Sequence, residues 1–171
     1  MKAGVYMLVG IAFFSCKEQE EIVDKPMDWS TEESTILARD IVFEEQIDIQ
    51  LYLKRRSDWE MKATGTGLQY WIYEDVEGLP AQEGDIVDVA FEVKLLDDSV
   101  CYKTQDFEVS SFKVDKSDVE TGVQEGIKYL SKGDKAKFII PSHLGHGLVG
   151  DLNKIPPLQV LIIDVEVIDI K

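Results

Sequence analysis

Apolar and polar residues along this chain alternate at two different periods. From Ile86 to Leu96 the period is two: Val87, Val89, Phe91, Val93 and Leu95 face one way, with Asp88, Glu92 and Lys94 opposite. That pattern predicts a half-buried antiparallel strand. Thr64 to Gly67 breaks the chain ahead of a first strand over Leu68 to Tyr73. The turn Asp97-Asp98-Ser99 leads into Val100 to Lys103, and Phe107 to Val114 reads as another strand or a strand-like loop. Upstream the period lengthens. Ile36, Phe43, Ile47 and Leu51 recur near helical spacing, and Leu37, Ile41 and Val42 widen the stripe. Ser30 with Glu33 forms a capping box, acidic residues fill the first turn, and Lys54, Arg55 and Arg56 suit the C-terminal end. A helix of about 25 residues follows from these signals. The pattern leaves open whether it packs on the rest of the chain or pairs with a second copy.

The C-terminal third repeats the two periods in a fixed order. Val123, Ile127 and Leu130 fall at helical spacing, and Gly133 just after them is a stop signal. Lys135 to Ile140 is a short strand, Pro141 to Pro157 a long loop punctuated by Gly and Pro, and Leu158 to Ile170 a closing strand.

Composition narrows the partners. The 171 residues have room for one domain plus an extension. The 33 acidic residues against 18 basic give a net charge of −15. Such a field repels nucleic acid, so a phosphate-backbone partner is excluded as a reading. The cysteines are Cys16 and Cys101 alone. A zinc site from Cys101, His143 and His146 lacks the paired ligands of structural zinc sites, so no metal and no cofactor is assigned.

The N-terminus differs from the rest. Lys2 is the only charge before Lys17, and Val5 to Phe14 is apolar. That run falls short of the roughly 20 residues that span a bilayer and suits a signal-peptide core. It ends in Phe13-Phe14-Ser15-Cys16, which resembles a bacterial lipoprotein signal. Residues 1–15 are then the signal peptide and Cys16 the lipidated N-terminus. The alternative is an ordinary secretory signal with an incidental cysteine. Residues 16–30 read as an acidic tether. Lys17, Glu18, Glu20 and Glu21 loosely fit a surface-export signal; the expected lipid anchor would hold the protein in the bacterial envelope, at the periplasmic face or the cell surface.

The phrases TGTGLQYWIYEDVEG, EGDIVDVAFEV, EGI, IPSHLGHG, IPP and DVEV, at their mutual distances, resemble FKBP-type peptidyl-prolyl cis-trans isomerases over residues 61–171. With residues 31–60 as an N-terminal helix, the arrangement is similar to envelope lipoprotein isomerases, including those linked to gliding motility. The resemblance implies an α+β fold: a bent antiparallel FKBP-like sheet wrapped around one short helix, here Val119 to Leu130, preceded by a long N-terminal helix. It also implies a prolyl pocket that works without nucleophile, metal or cofactor.

Carried over residue by residue, the resemblance assigns the catalytic positions to Phe91, Tyr102, Val119, Glu120 and His146. Phe91 stands where the family has tyrosine, and Tyr102 where it has an acidic residue. Val119 and Glu120 precede the helix, where a backbone N–H meets the substrate carbonyl. His146 replaces a hydrogen-bonding tyrosine. Substrate-binding positions fall on Cys101, Phe112, Val123, Ile155 and Ile163, with Cys101 in place of a wall phenylalanine and Val123 in place of the floor tryptophan. Gly122, Gly126, Gly133, Pro141, Gly147 and Pro156 keep the scaffold. The implied function is peptidyl-prolyl isomerisation of proline-containing peptides or unfolded exported proteins. The alternative is a weakly active or inactive binding and chaperone module, a homodimer through its N-terminal helix.

Overall fold

The computed structural model describes residues 30–105 and 108–171. The expected signal peptide (residues 1–15), Cys16, residues 17–29 of the expected tether, and Phe107 lie outside them. Helix α1 spans Thr31–Lys54. Its start is the capping box: Glu33 N–H donates to Ser30 Oγ at 3.2 Å, and Ser30 N–H donates to Glu33 Oε2 at 3.0 Å. Then come β1 (Lys62–Ala63), β2 (Gln69–Glu74), β3 (Ile86–Lys94), β4 (Val100–Lys103) and β5 (Ser110–Lys113). The chain ends with α2 (Thr121–Ile127), β6 (Lys135–Ile140), a 3-10 turn at Ser142–Leu144 and β7 (Leu161–Ile170).

All strand pairings are antiparallel, in the order β1-β2-β6-β7-β3-β4, with β5 also on β3. β4 and β5 share one edge of β3: β5 pairs Ile86 to Val89, and β4 pairs Glu92 to Lys94. The open sheet encloses α2, an α+β arrangement. α2 lies close on β6 because two of its residues lack a side chain. A Cβ on Gly122 would stand 2.5 Å from Ile140 Cγ2, and one on Gly126 2.7 Å from the Phe138 ring.

The middle of the sheet is covered on both faces. Ala136, Phe138 and Ile140 of β6, with Leu161, Ile163, Val165 and Val167 of β7, build the main core around Ile127 and Leu130. Ile139 and Ile162 point the other way, into a second cluster with Ile49 and Tyr52 of α1. α1 therefore packs on the outer face through Ile41, Glu45, Ile49 and Tyr52, at helical spacing. Arg56 clamps this end. Its guanidinium bonds both Asp98 carboxylate oxygens at 2.6 and 2.7 Å and lies 3.6 Å over the Tyr52 ring, while the Tyr52 hydroxyl donates to Asp98 Oδ1 at 3.1 Å.

This settles which stripe of α1 meets the domain. The expected stripe, Ile36, Phe43, Ile47 and Leu51, is exposed instead, with Phe43 at 66%. At 100° per residue it lies on the opposite side of the helix from the packed face. Several boundaries also moved: β2 runs over Gln69–Glu74 rather than Leu68 to Tyr73, and β3 ends at Lys94 rather than Leu96. The helix expected over Val119 to Leu130 is confined to Thr121–Ile127. β7 begins at Leu161 rather than Leu158, whose backbone is left-handed at φ 57°. Among the described residues of the segment expected over Phe107 to Val114, the strand is Ser110–Lys113.

Candidate functional site

On the inner face, a cavity of about 480 Å³ opens between α2, the loop before β7 and the strands β3, β4 and β5. β3 contributes Val89, Phe91 and Val93, which share a side because strand side chains alternate. The backbone of Phe91 is pinned by Thr104: Phe91 N–H donates to Thr104 Oγ1, and Thr104 N–H to Phe91 O, both at 3.0 Å. Phe112 enters from β5, and Val123 and Ile127 from α2. Leu161, Ile163 and Val165 enter from β7, and Phe138 from β6. His146, Asp151, Asn153 and Ile155 complete the wall from the loop. A larger groove of about 920 Å³, lined by Glu77, Leu79, Asp85, Lys132, Glu166 and Lys171 among others, has no aromatic side chain in its lining.

The structure brings Phe91, Tyr102, Phe112, Val119, Glu120, Val123, His146, Ile155 and Ile163 to this one cavity. Cys101 does not reach it. A bulge in β4 sets both Val100 and Tyr102 against neighbouring β3 residues and leaves Cys101 as the extra residue between them. Cys101 is buried behind the wall, its thiol directed at Lys154 O at 3.8 Å, and burial pushes that thiol up.

The polar groups of the cavity pair with one another. Tyr102 donates its hydroxyl to Asp151 Oδ2, and Asn153 Nδ2 donates to the same hydroxyl at 3.2 Å. Asp151 Oδ1 accepts the N–H of Asn153 at 2.9 Å and of Ile155 at 2.7 Å. Burial pushes the Asp151 carboxyl up, but the Tyr102 bond and the N–H donors outweigh it and hold it down at about 2. The same carboxylate raises the Tyr102 hydroxyl. So a carboxylate stands beside Tyr102 after all, brought in by the loop. Sequence reasoning missed Asp151 and Asn153, because Gly150-Asp151-Leu152-Asn153 reads only as turn composition. Val89 and Val93 were legible from the β3 alternation.

His146 Nε2 lies 2.9 Å from Glu120 Oε1. The carboxylate is an acceptor, so Nε2 is the donating nitrogen of this pair. Glu120 is the N-cap of α2, yet its side chain makes no capping bond. Of the two backbone donors ahead of α2, Val119 N–H is used by Ser117 O at 3.0 Å. The Glu120 N–H has no acceptor among the described residues.

The family model described as FKBP-type peptidyl-prolyl cis-trans isomerase matches residues 78–168. The chain is similar to the FKBP-type isomerase FkpA of Buchnera aphidicola subsp. Schizaphis graminum, 36% identical over 137 residues, covering 75% of this chain and 51% of that protein. It is 35% identical over 112 residues to FkpA of Escherichia coli, covering 65% of this chain and 40% of the relative. The chain thus spans about half or less of these relatives' length. The crystal structure of Escherichia coli FkpA superposes with a TM-score of 0.66 at 30% identity, covering 81% of this chain and 64% of that one. A peptidyl-prolyl cis-trans isomerase from Pseudomonas syringae shares the fold, with a TM-score of 0.63 at 18% identity, covering 74% and 92% of the two chains.

Proposed function

The chain belongs to the family of FKBP-type peptidyl-prolyl cis-trans isomerases, and on that premise we propose that it isomerises the amide bond ahead of proline in peptides and unfolded exported proteins. The observation that carries this reading is an apolar cavity with aromatic walls beside an unused backbone donor, the Glu120 N–H. An amide resists rotation with a barrier of about 18–20 kcal/mol because resonance separates charge between oxygen and nitrogen. A twisted amide loses that resonance and fits an apolar wall better than the planar one. Each tenfold in rate takes about 1.4 kcal/mol of such preference. Phe91 and Phe112 supply ring surfaces, Ile155 and Ile163 aliphatic ones, and the Glu120 N–H suits a substrate carbonyl. The cavity needs no nucleophile for this.

The motif ending in Cys16 supports a lipid anchor, with residues 16–30 as tether and the isomerase unit at residues 61–171 in the bacterial envelope. A protease-coupled assay on X-Pro peptides tests the activity: rates equal to the blank for the wild-type chain would sink it. Mass spectrometry of the mature N-terminus tests the anchor. An unmodified Cys16 would remove it.

A second reading draws on the exposed stripe Ile36, Phe43, Ile47 and Leu51. Apolar residues in line on a helix face opposite to its packed face suit a second copy, and the module would then bind clients as a dimer with little or no catalysis. Light scattering of a chain lacking residues 30–56 tests it. An unchanged mass relative to wild type would end that reading.

A further inference from the structure

Glu45 sits on the packed face of α1 and is only 8% exposed. Its carboxylate grips one residue twice. Oε2 accepts Ser142 N–H at 3.1 Å, and Oε1 accepts the Ser142 hydroxyl. Ser142, also buried, starts the 3-10 turn at the base of the pocket loop. Its carbonyl faces the other way along the chain, accepting Gly145 N–H at 3.0 Å and Gly147 N–H at 2.8 Å. Those two amides flank His146. Neither glycine has a side chain to anchor the segment, so backbone bonds hold it: these two, with Gly150 N–H to His146 O at 3.2 Å and Leu158 N–H to Gly147 O at 2.9 Å on its far side. His146 then meets Glu120 across the cavity.

We propose that Glu45 is a positioning residue of the prolyl pocket. Through Ser142 it fixes the Gly145–Gly147 segment and so sets His146 against Glu120. α1 is by this reasoning a working part of the site, although it lies on the outer face of the sheet and the cavity on the inner one. An ionised carboxylate suits the role because it offers two acceptor oxygens to two donors on one residue, and charged acceptors make the shorter, stronger bonds. The proposal rests on the assignment of this cavity as the isomerase site.

The test uses the full chain with Glu45→Ala, Glu45→Gln and Ser142→Ala, and Ile49→Val as control. Ile49→Val loosens the same helix face without touching Ser142. The readouts are kcat and KM on X-Pro peptides and the imidazole ¹⁵N shifts of His146. Glu45→Ala is expected to lower kcat/KM about tenfold, as small misplacements of pocket groups do, and to move the His146 shifts. Glu45→Gln, which keeps one acceptor, falls between, and Ile49→Val leaves both readouts at wild type. Wild-type kcat/KM and His146 shifts in Glu45→Ala would overturn the proposal, as would Ile49→Val reproducing both changes. If Glu45→Ala does not fold, Glu45→Gln and Ser142→Ala carry the same two criteria. An inactive wild type with His146 shifts that move in Glu45→Ala alone would sink the isomerase reading and keep the link from α1 to the pocket.

Discussion

Tyr102 and Asp151 join β4 to the pocket loop through the hydroxyl of one and the carboxylate of the other. The bond lowers the Asp151 carboxyl against the opposing effect of burial, to about 2. A carboxyl that titrates lower folded than unfolded stabilises the fold above its unfolded value. That contribution is lost as pH falls through the folded one. Stability of the wild type should therefore decline between about pH 4 and pH 2. Tyr102→Phe should flatten that decline, measured by urea unfolding across the range. An unchanged slope would mean that the hydroxyl does not hold the carboxylate.

Within the pocket, Phe91→Ala and His146→Ala should each lower kcat/KM by about tenfold, a loss of about 1.4 kcal/mol of transition-state stabilisation. Cys101→Ser should leave KM for short X-Pro peptides unchanged, since Cys101 lies behind the wall. Steady-state kinetics on the three variants decides both points. A rise in KM for Cys101→Ser would put that residue back on the substrate.

Two nearby residues of α1 should respond to the same substitution by very different amounts. Ile49 is 1% exposed and Ile47 42%. Ile49→Ala should cost about 2–4 kcal/mol of stability, and Ile47→Ala at most about 0.5 kcal/mol in the monomer. Chemical denaturation at low protein concentration separates them. Equal losses would mean that α1 does not dock through the face described.

Gly126→Ala should destabilise the fold by about 1–3 kcal/mol through overpacking, even though alanine is the better helix former. The added Cβ would meet the Phe138 ring at 2.7 Å. Pairing it with Phe138→Leu should recover part of the loss, and a double-mutant cycle by urea unfolding measures the recovery. Strict additivity would mean that the two residues do not touch.

At the alkaline end, burial raises the Tyr52 hydroxyl to about 12, with the Asp98 carboxylate adding to it and Arg56 opposing. The folded state then keeps a proton that the unfolded state gives up, so stability falls from about pH 10 upward. The loss attributable to Tyr52 is on the order of 2 kcal/mol. Tyr52→Phe should remove that part of the alkaline transition, followed by circular dichroism. An identical profile in the variant would show that Tyr52 does not contribute.

Local signals carried much of the fold. β4 and β6 begin and end where the sequence placed them, because each is a short apolar segment bounded by turn residues. The capping box fixed the start of α1. Its orientation was hidden, because the packed face includes a charged residue, Glu45, and the most regular apolar stripe is the exposed one. The pocket was legible where strand alternation or helix spacing points, as at Phe91 and Val123. It was illegible where a bulge intervenes, as at Cys101. It was also illegible where loop residues meet a distant strand, as Asp151 meets Tyr102. Those relations depend on tertiary geometry that no local period encodes.

The tight seating of Gly122 and Gly126 also bears on how β6 finds its alignment. Phe138, Ile139 and Ile140 are apolar and buried on both faces of the sheet. In that stretch polarity cannot tell the correct alignment from a slip by one residue, which would turn every side chain to the other face. Lys135 and Lys137, at the other end of β6, oppose the slip by polarity, and the helix adds a second check by shape. Only an alignment that sets Ile140 over Gly122 and Phe138 over Gly126 fills both hollows. The glycines thus act as a template that reads side-chain volume along β6 and rejects the neighbouring alignment.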